Sequence, residues 1–118
     1  MNLQAYIEEA YGIQGEYPFS GDATTCVFRH SSNRKWFAVI MELPRQRLGL
    51  SGDGYIRVVN TKCDTRMIGA FRQEQGIFPA YHMSKAHWLT VALDGTVDTQ
   101  KIKFLLDMSY DLTKGGNR

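Results

Sequence analysis

The chain has 118 residues, which fits a single domain near the commonest domain size. With 43% hydrophobic and 22% charged residues it has the composition of a globular protein, which excludes a disordered chain. No apolar run approaches the roughly 20 residues that a membrane helix needs, and the N-terminus lacks the basic and apolar regions of a secretory signal. The net charge of +2 is too small to indicate a nucleic-acid partner by itself.

The two cysteines, Cys26 and Cys63, form no CxxC pair and no zinc-type ligand spacing. We predict that both are free, buried thiols in a reducing compartment, and we therefore expect a cytoplasmic protein. Cys63 precedes a predicted helix whose dipole could lower the thiol pKa, so a reactive Cys63 is a minor alternative. No catalytic motif is present, and we expect no enzyme activity, no cofactor and no small-molecule substrate.

The first third of the chain predicts one helix followed by a hairpin. Asn2 is a candidate N-cap for a helix with apolar residues at helical spacing, and Gly12 ends that helix. A strand over 24–30, a turn over 31–34 and a strand over 35–43 then form the hairpin.

Both faces of the second predicted strand are apolar. A strand covered on both sides lies in the middle of its sheet or at a subunit interface. A polar connection over 44–54 then leads to a third strand over 55–60. Strict alternation along the second strand places Trp36, Ala38 and Ile40 on one face, and Phe37, Val39 and Met41 on the other.

The second half predicts a helix, two strands and a final helix. Asp64 can cap a helix over 64–76, and 78–79 makes a rigid corner. Strands are predicted over 81–83 and 88–93, and Asp98 begins the last helix. The order α-β-β-β-α-β-β-α, with hairpin-linked strands, predicts an α+β fold with a single antiparallel sheet and helices packed mainly on one face. We expect one domain over 1–114 and a flexible end over 115–118.

Several segments, in order along nearly the whole chain, resemble the MmcQ/YjbR family. The most specific is Tyr81-His-Met-Ser-Lys-Ala-His-Trp88, because its rare residues His82, Lys85, His87 and Trp88 recur at the family's spacing. The chain departs from the family pattern with Ala80 in place of Gly and Ser84 in place of Asn. The other matching segments are Tyr17-Pro-Phe19, Val27-Phe28, Lys35-Trp-Phe-Ala38, Asn60-Thr-Lys-Cys-Asp64, Phe78-Pro79 and Asp107-Met-Ser-Tyr-Asp-Leu112.

The resemblance implies a fold likened to CyaY (frataxin) and to secretion chaperones. It also implies a role in DNA binding through a double-wing arrangement of hairpins. The charge distribution agrees with such a role, since residues 29–72 hold nine basic and three acidic side chains, a local charge of +6. The candidate phosphate-binding residues are Arg29, Arg34, Lys35, Arg45, Arg47, Lys62, Arg66 and Lys85.

His82 and His87 invite a metal hypothesis, but they are five residues apart and would point to opposite faces of a strand. No third ligand has a supporting spacing, so we predict no metal site and interpret both as hydrogen-bonded structural residues, with partner contact as the alternative. Trp36 and Trp88 are interpreted as core residues, with base stacking as the alternative.

Two functions follow from the sequence. The first is weak, largely non-specific binding of double-stranded DNA by the basic residues. The second is a protein-interaction module, chaperone-like or homodimeric, that uses the apolar strand 36–41 and its sheet edge.

Overall fold

The fold is known from a computed structural model, which describes residues 2–115. The flexible end expected over 115–118 therefore lies outside the described residues except for Gly115. The helices are α1 (Leu3–Tyr11), α2 (Ile68–Phe71) and α3 (Thr99–Thr113), with a 3-10 helix at Arg45–Leu48. The strands are β1 (Cys26–Arg29), β2 (Trp36–Pro44), β3 (Tyr55–Lys62), β4 (Ile77–Pro79) and β5 (Trp88–Ala92). No helix within residues 2–115 is long and apolar enough to cross a membrane.

The five strands form one antiparallel sheet in the order β1-β2-β3-β5-β4. This confirms the predicted α+β fold and the predicted order of its elements. The two-sided strand β2 is interior, as expected, because β1 and β3 pair with it on either side. Over 38–40 its backbone is therefore flanked by a paired strand on both sides, and 41–44 extends past the end of β1.

The first helix begins and ends, and the last helix begins, where the sequence predicts. The Asn2 side chain accepts a hydrogen bond from the Ala5 amide at 3.0 Å, and that of Asp98 accepts one from the Gln100 amide at 3.0 Å. Gly12 ends α1 at φ 67°, where its amide donates to the carbonyl of Glu8. A left-handed backbone of this kind favours glycine because a Cβ atom would be strained.

One side of the sheet, here called the helical face, packs against the three helices. Its buried residues alternate along the strands, as a sheet with one core face requires. The largest side chains in this core are aromatic and aliphatic and fully buried. They are Phe28, Phe37, Ile40, Leu89, Leu105 and Leu106, together with Ile7 of α1.

A bulge in β2 corrects the predicted alternation. Phe28 pairs with Ala38, but the next residue, Arg29, pairs with Trp36, so Phe37 is extra. Phe37 and Ala38 therefore both join the core of the helical face, and Trp36 turns to the opposite side. The buried hydroxyl of Ser109 in α3 donates to the Phe37 carbonyl at 2.6 Å, which provides that carbonyl with a partner.

Two other predicted elements are wrong in position. The helix expected over 64–76 is reduced to Ile68–Phe71, because Asp64 accepts hydrogen bonds from the Arg66 backbone and guanidinium and does not cap it. The strand expected over 81–83 lies instead at Ile77–Pro79, where β5 provides its pairing partner. The rigid corner predicted at 78–79 is therefore part of a strand.

The opposite side of the sheet, here called the loop-covered face, is covered by irregular segments. The connection 45–54 folds back over Leu43, Ile56 and Val58, with Leu48 and Leu50 packed onto them. Segments 17–25 and 80–84 lie over the rest of this face. The connection predicted to be polar thus contains a 3-10 helix and contributes to a second, smaller apolar cluster.

Candidate nucleic-acid interface

One end of the sheet gathers much of the predicted site. Because the strands are antiparallel, the 31–35 turn and the start of β2 lie at the same end as Lys62 of β3 and Trp88 of β5, which pair directly. The connection from β4 to β5, which carries Lys85 and His87, is at this end as well. We call this set the basic end, defined by Arg34, Lys35, Lys62 and Lys85.

The hairpin turn of the basic end is fixed to the end of α3. The Asn33 side chain donates to the Thr113 carbonyl at 2.9 Å and accepts from the Lys35 amide at 2.9 Å. Arg34 has φ 65°, an uncommon value for a residue with a side chain, and its amide donates to the His30 carbonyl. The turn therefore presents the exposed Arg34 and Lys35 side chains from a defined backbone.

Five of the eight predicted phosphate-binding residues make neither an ion pair nor a hydrogen bond through their side chains within residues 2–115. They are the four residues of the basic end and Arg47. Arg47 belongs to the connection at the other end of β2, but that connection folds back and brings it to Lys85. The two cations line one shallow cleft of about 250 Å³ together with Phe78 and Tyr81.

The remaining three predicted residues have structural partners. The guanidinium of Arg29 pairs with Glu16 at 3.0 Å and lies 5.9 Å from the centre of the Trp36 ring. Arg45 donates to the Ser51 carbonyl at 2.8 Å, within its own connection. Arg66 pairs with Asp64 at 2.8 Å, and its hydrogen bonds lower the pKa of that carboxyl to about 2. The side chains of these three residues are therefore held by ion pairs or hydrogen bonds to other residues of the chain.

Beside the basic end, the loop-covered face holds a cavity of about 470 Å³ that the sequence did not predict. Its floor is Val39 and Met41 of β2, and segments 17–25 and 80–84 form its two walls. We call it the aromatic groove, lined by Phe19, Asp22, Thr25, Trp36, Val39, Met41, His82 and Met83.

One wall of the groove combines aromatic rings with a carboxylate. The rings of Phe19 and Trp36 meet edge to face, with centres 6.2 Å apart. Asp22 accepts hydrogen bonds from the backbone amides and hydroxyls of Thr24 and Thr25. These bonds, the Thr25 hydroxyl first, lower the pKa of Asp22 to about 2, so the carboxylate is ionised at neutral pH.

A buried polar network holds the other wall. The Thr90 hydroxyl donates to the Asn60 side chain at 2.6 Å and accepts from the Tyr81 amide at 2.9 Å. The Asn60 side chain in turn donates to the Tyr81 carbonyl at 3.0 Å. Both backbone groups of Tyr81 are thereby fixed to the sheet. The next residue, His82, has φ 64°, and the centre of its ring lies 3.9 Å from the centre of the Tyr81 ring.

The histidine interpretation requires correction. His82 and His87 are both exposed, and neither side chain makes a hydrogen bond within residues 2–115. The buried histidine is His30, which sequence reasoning did not single out, and its ring bonds the Thr113 hydroxyl at 2.8 Å. Trp36 and Trp88 are half-buried on the loop-covered face, and neither belongs to the buried core.

The two cysteines are free and buried, as predicted. Burial raises the pKa of both thiols, and the nearby Asp64 carboxylate raises that of Cys63 further. The helix expected to activate Cys63 begins only at Ile68, so its dipole is too distant to favour the thiolate. Within residues 2–115, no three His, Cys, Asp or Glu side chains converge in a way that could hold a metal ion.

Comparison with known proteins finds the same fold and sequence pattern elsewhere. The model of the YjbR family matches residues 4–112. The uncharacterised protein YyaQ of Bacillus subtilis is 36% identical over 109 residues, which cover 92% of each chain. The uncharacterised protein YjbR of Escherichia coli K12 is 38% identical over 53 residues, which cover 44% of this chain and 45% of that protein.

Two solved structures extend the comparison. The crystal structure of a Pseudomonas syringae protein superposes with a TM-score of 0.94 at 36% identity, over 97% of this chain and 100% of that one. The crystal structure of a Deinococcus radiodurans protein superposes with a TM-score of 0.65 at 32% identity, over 90% of this chain and 72% of that one.

Proposed function

We propose that this chain, which belongs to the YjbR family, binds DNA weakly and with little sequence preference through phosphate contacts from its basic end. The contacts would come from Arg34, Lys35, Lys62 and Lys85, with Arg47 at the adjoining cleft. Contacts to phosphate carry no sequence information and depend strongly on salt.

The observation that carries the proposal is the set of unpaired cations at one end of the sheet. Arg34, Lys35 and Lys85 are exposed, and none of them forms an ion pair within the described residues. Unpaired cations close together create a positive local potential, which attracts a polyanion and costs stability when no partner is bound. The fixed hairpin turn supports the same interpretation, since a defined backbone loses little entropy on binding.

Acidic side chains on the helices make the basic end the more favourable surface for a polyanion. The exposed sides of α1 and α3 carry Glu9, Asp107 and Asp111. Asp107 accepts a hydrogen bond from the Tyr11 hydroxyl, which together with burial raises the pKa of that phenol. Asp111 is paired with Lys114 at 3.5 Å. Glu9 and Asp107 would repel phosphate, so a DNA strand would approach from the basic end.

Fluorescence anisotropy of a labelled duplex across a salt series tests the proposal. If the four cations of the basic end each neutralise a phosphate, the logarithm of the affinity falls with that of the salt concentration at a slope of about −3 to −4. Between 50 and 200 mM salt the affinity would then fall about a hundredfold. The Arg34→Glu/Lys35→Glu variant should make the slope shallower by about two.

The matched control is Arg57→Glu/Lys103→Glu, which makes the same charge change on the helical side of the molecule. It removes only the exposed Arg57–Glu42 pair at 3.7 Å and the Lys103–Tyr6 contact at 4.9 Å, both of small energetic value. The control should keep the wild-type slope. Equal slopes in the two variants, or no binding at low salt, would contradict DNA binding by the basic end.

A second candidate is protein interaction through α3. Phe104 and Leu112 are 49% and 44% exposed, and Met108 between them is partly exposed. At spacings of four residues these three side chains form one apolar stripe along the helix. An interface built on this stripe, with a second copy or another protein, would persist as salt rises, whereas phosphate contacts would weaken.

Sedimentation velocity over a concentration and salt series distinguishes the two candidates. Self-association that survives high salt and is abolished by Phe104→Ser/Leu112→Ser, with DNA affinity unchanged, would support the interaction module. A monomer at all concentrations would exclude the homodimer form of this candidate.

A further inference from the structure

We propose that the aromatic groove receives one unstacked nucleobase, so that the chain prefers single-stranded DNA to a duplex. The inference rests on the DNA binding proposed above and adds a base contact to its phosphate contacts. The groove and the basic end meet at Trp36, which directly follows Arg34 and Lys35 in the chain. A strand held by its phosphates on the turn could therefore place a neighbouring base in the groove.

The shape and lining of the groove suit a flat aromatic ligand. Its volume of about 470 Å³ lies within the usual range of ligand pockets, and it is lined mainly by aromatic and aliphatic side chains. Phe19 is 44% exposed, which is unusual for so large an apolar residue. Phe19 meets Trp36 edge to face and Arg29 lies over the Trp36 ring, so the exposed ring of Phe19 is the one available for stacking. Stacking on such rings tolerates any base.

The polar groups of the groove distinguish a base from a phosphate. Oδ1 of Asp22 already accepts three hydrogen bonds, whereas Oδ2 accepts one, from the Thr25 hydroxyl at 2.6 Å. Oδ2 thus retains the capacity to accept from an exocyclic amino group. The negative charge of Asp22 disfavours a phosphate in the groove. Arg29, the cation nearest to the Trp36 ring, is neutralised by Glu16.

His82 supplies a second, independent observation. A residue other than glycine at φ 64° is strained, and the Asn60–Thr90–Tyr81 network maintains that strain on the rim of the groove. Its exposed imidazole makes no hydrogen bond within the described residues and lines the cavity together with Trp36. A base lying between the two walls would contact Phe19 on one side and His82 on the other.

The test separates the base contact from the phosphate contacts. Anisotropy at fixed salt compares four labelled probes of equal strand length: an all-cytosine strand, an all-thymine strand, a strand of abasic sugar-phosphate units and a duplex. The two base-containing strands should bind at least about fivefold more tightly than the abasic strand, which has the same charge. Cytosine should exceed thymine, because its amino group can donate to Asp22.

Two variants and a control test whether the preference for base-containing strands comes from the aromatic groove. Phe19→Ala should remove the advantage of base-containing strands without changing the salt slope, and Asp22→Asn should reduce the preference for cytosine. Tyr55→Ala removes an aromatic ring that is 70% exposed at the far end of the sheet, and it should change neither quantity. Thermal unfolding of each variant establishes that it is folded.

The outcomes are distinguishable from those of the phosphate proposal. Equal affinity for the abasic and base-containing strands, or tighter binding of the duplex, would overturn the base contact while salt-dependent binding still supports the basic end. An unchanged advantage in Phe19→Ala would also overturn it. If none of the four probes binds at low salt, both proposals fail.

Discussion

The two faces of the sheet differ in what covers them. The helical face is closed by α1 and α3 over fully buried side chains, and the Ser109 hydroxyl bonds within this core. The loop-covered face is closed by irregular segments that leave the aromatic groove and the Arg47–Lys85 cleft open. The first face excludes water, whereas the second presents cations and aromatic rings to it.

The largest expected effect is a loss of stability from a substitution in the core of the helical face. Phe37 is fully buried and contacts the rings of Tyr11, His30 and Tyr110. Phe37→Ala leaves a cavity that the surrounding helices cannot fill, and we expect a loss of about 3–5 kcal/mol in the free energy of unfolding, measured by urea titration. Met41→Ala, on the partly exposed floor of the groove, is the matched comparison. Equal losses for the two variants would show that the faces do not differ as described.

The next largest expected effect is a loss of stability in the wall of the aromatic groove that segment 80–84 forms. Thr90→Val removes the hydroxyl that joins Asn60 to Tyr81, so the buried Asn60 side-chain oxygen and the partly buried Tyr81 amide lose this partner. We expect a loss of about 2–3 kcal/mol in the free energy of unfolding. Hydrogen exchange at the Tyr81 amide should become much faster than the loss of global stability accounts for. Wild-type protection at this amide in the variant would mean that the network does not hold segment 80–84.

A smaller expected effect is a pH dependence of the folding stability that comes from a buried histidine. Burial lowers the pKa of His30, between Phe37 and Tyr110 and near the Lys114 cation, below its usual value of 6.5. The neutral ring is therefore favoured in the folded state. The stability from His30 is fully present above pH 6.5 and is lost as the pH falls through the lowered value.

Urea titrations between pH 7.5 and 5 measure this dependence. His30→Gln should flatten the decline in stability at low pH. If His30→Gln retains the full decline, the buried ring is not its source.

The sequence predicted those parts of the fold that local residues determine. Asn2 and Asp98 cap their helices through side chains within three residues of the bonded amides, so both helix starts were visible. The bulge at Phe37 was not predicted, because the carbonyl of the extra residue is bonded by the Ser109 hydroxyl, on a helix far along the chain. The position of β4 depended equally on a remote partner, β5.

The candidate site was likewise predictable only where neighbouring residues determine it. The exposed Arg34 and Lys35 were predicted from a local turn, but the partners of Arg29 and the fold-back that brings Arg47 to Lys85 are tertiary. The aromatic groove joins segments about sixty residues apart, so no local pattern could indicate it. One signal was available: Asn60 follows two valines within a strand, and a polar side chain at a buried strand position requires partners.

The central claim is that the basic end and the loop-covered face, and not the helices, meet DNA. Amide chemical-shift mapping of the labelled protein during titration with a short DNA strand tests it most directly. We expect the shifts to concentrate at 31–36, Lys62 and 80–88, with the Trp36 indole among them and α1 and α3 unaffected. Shifts that centre on α1 and α3, or that are absent at low salt, would contradict the account.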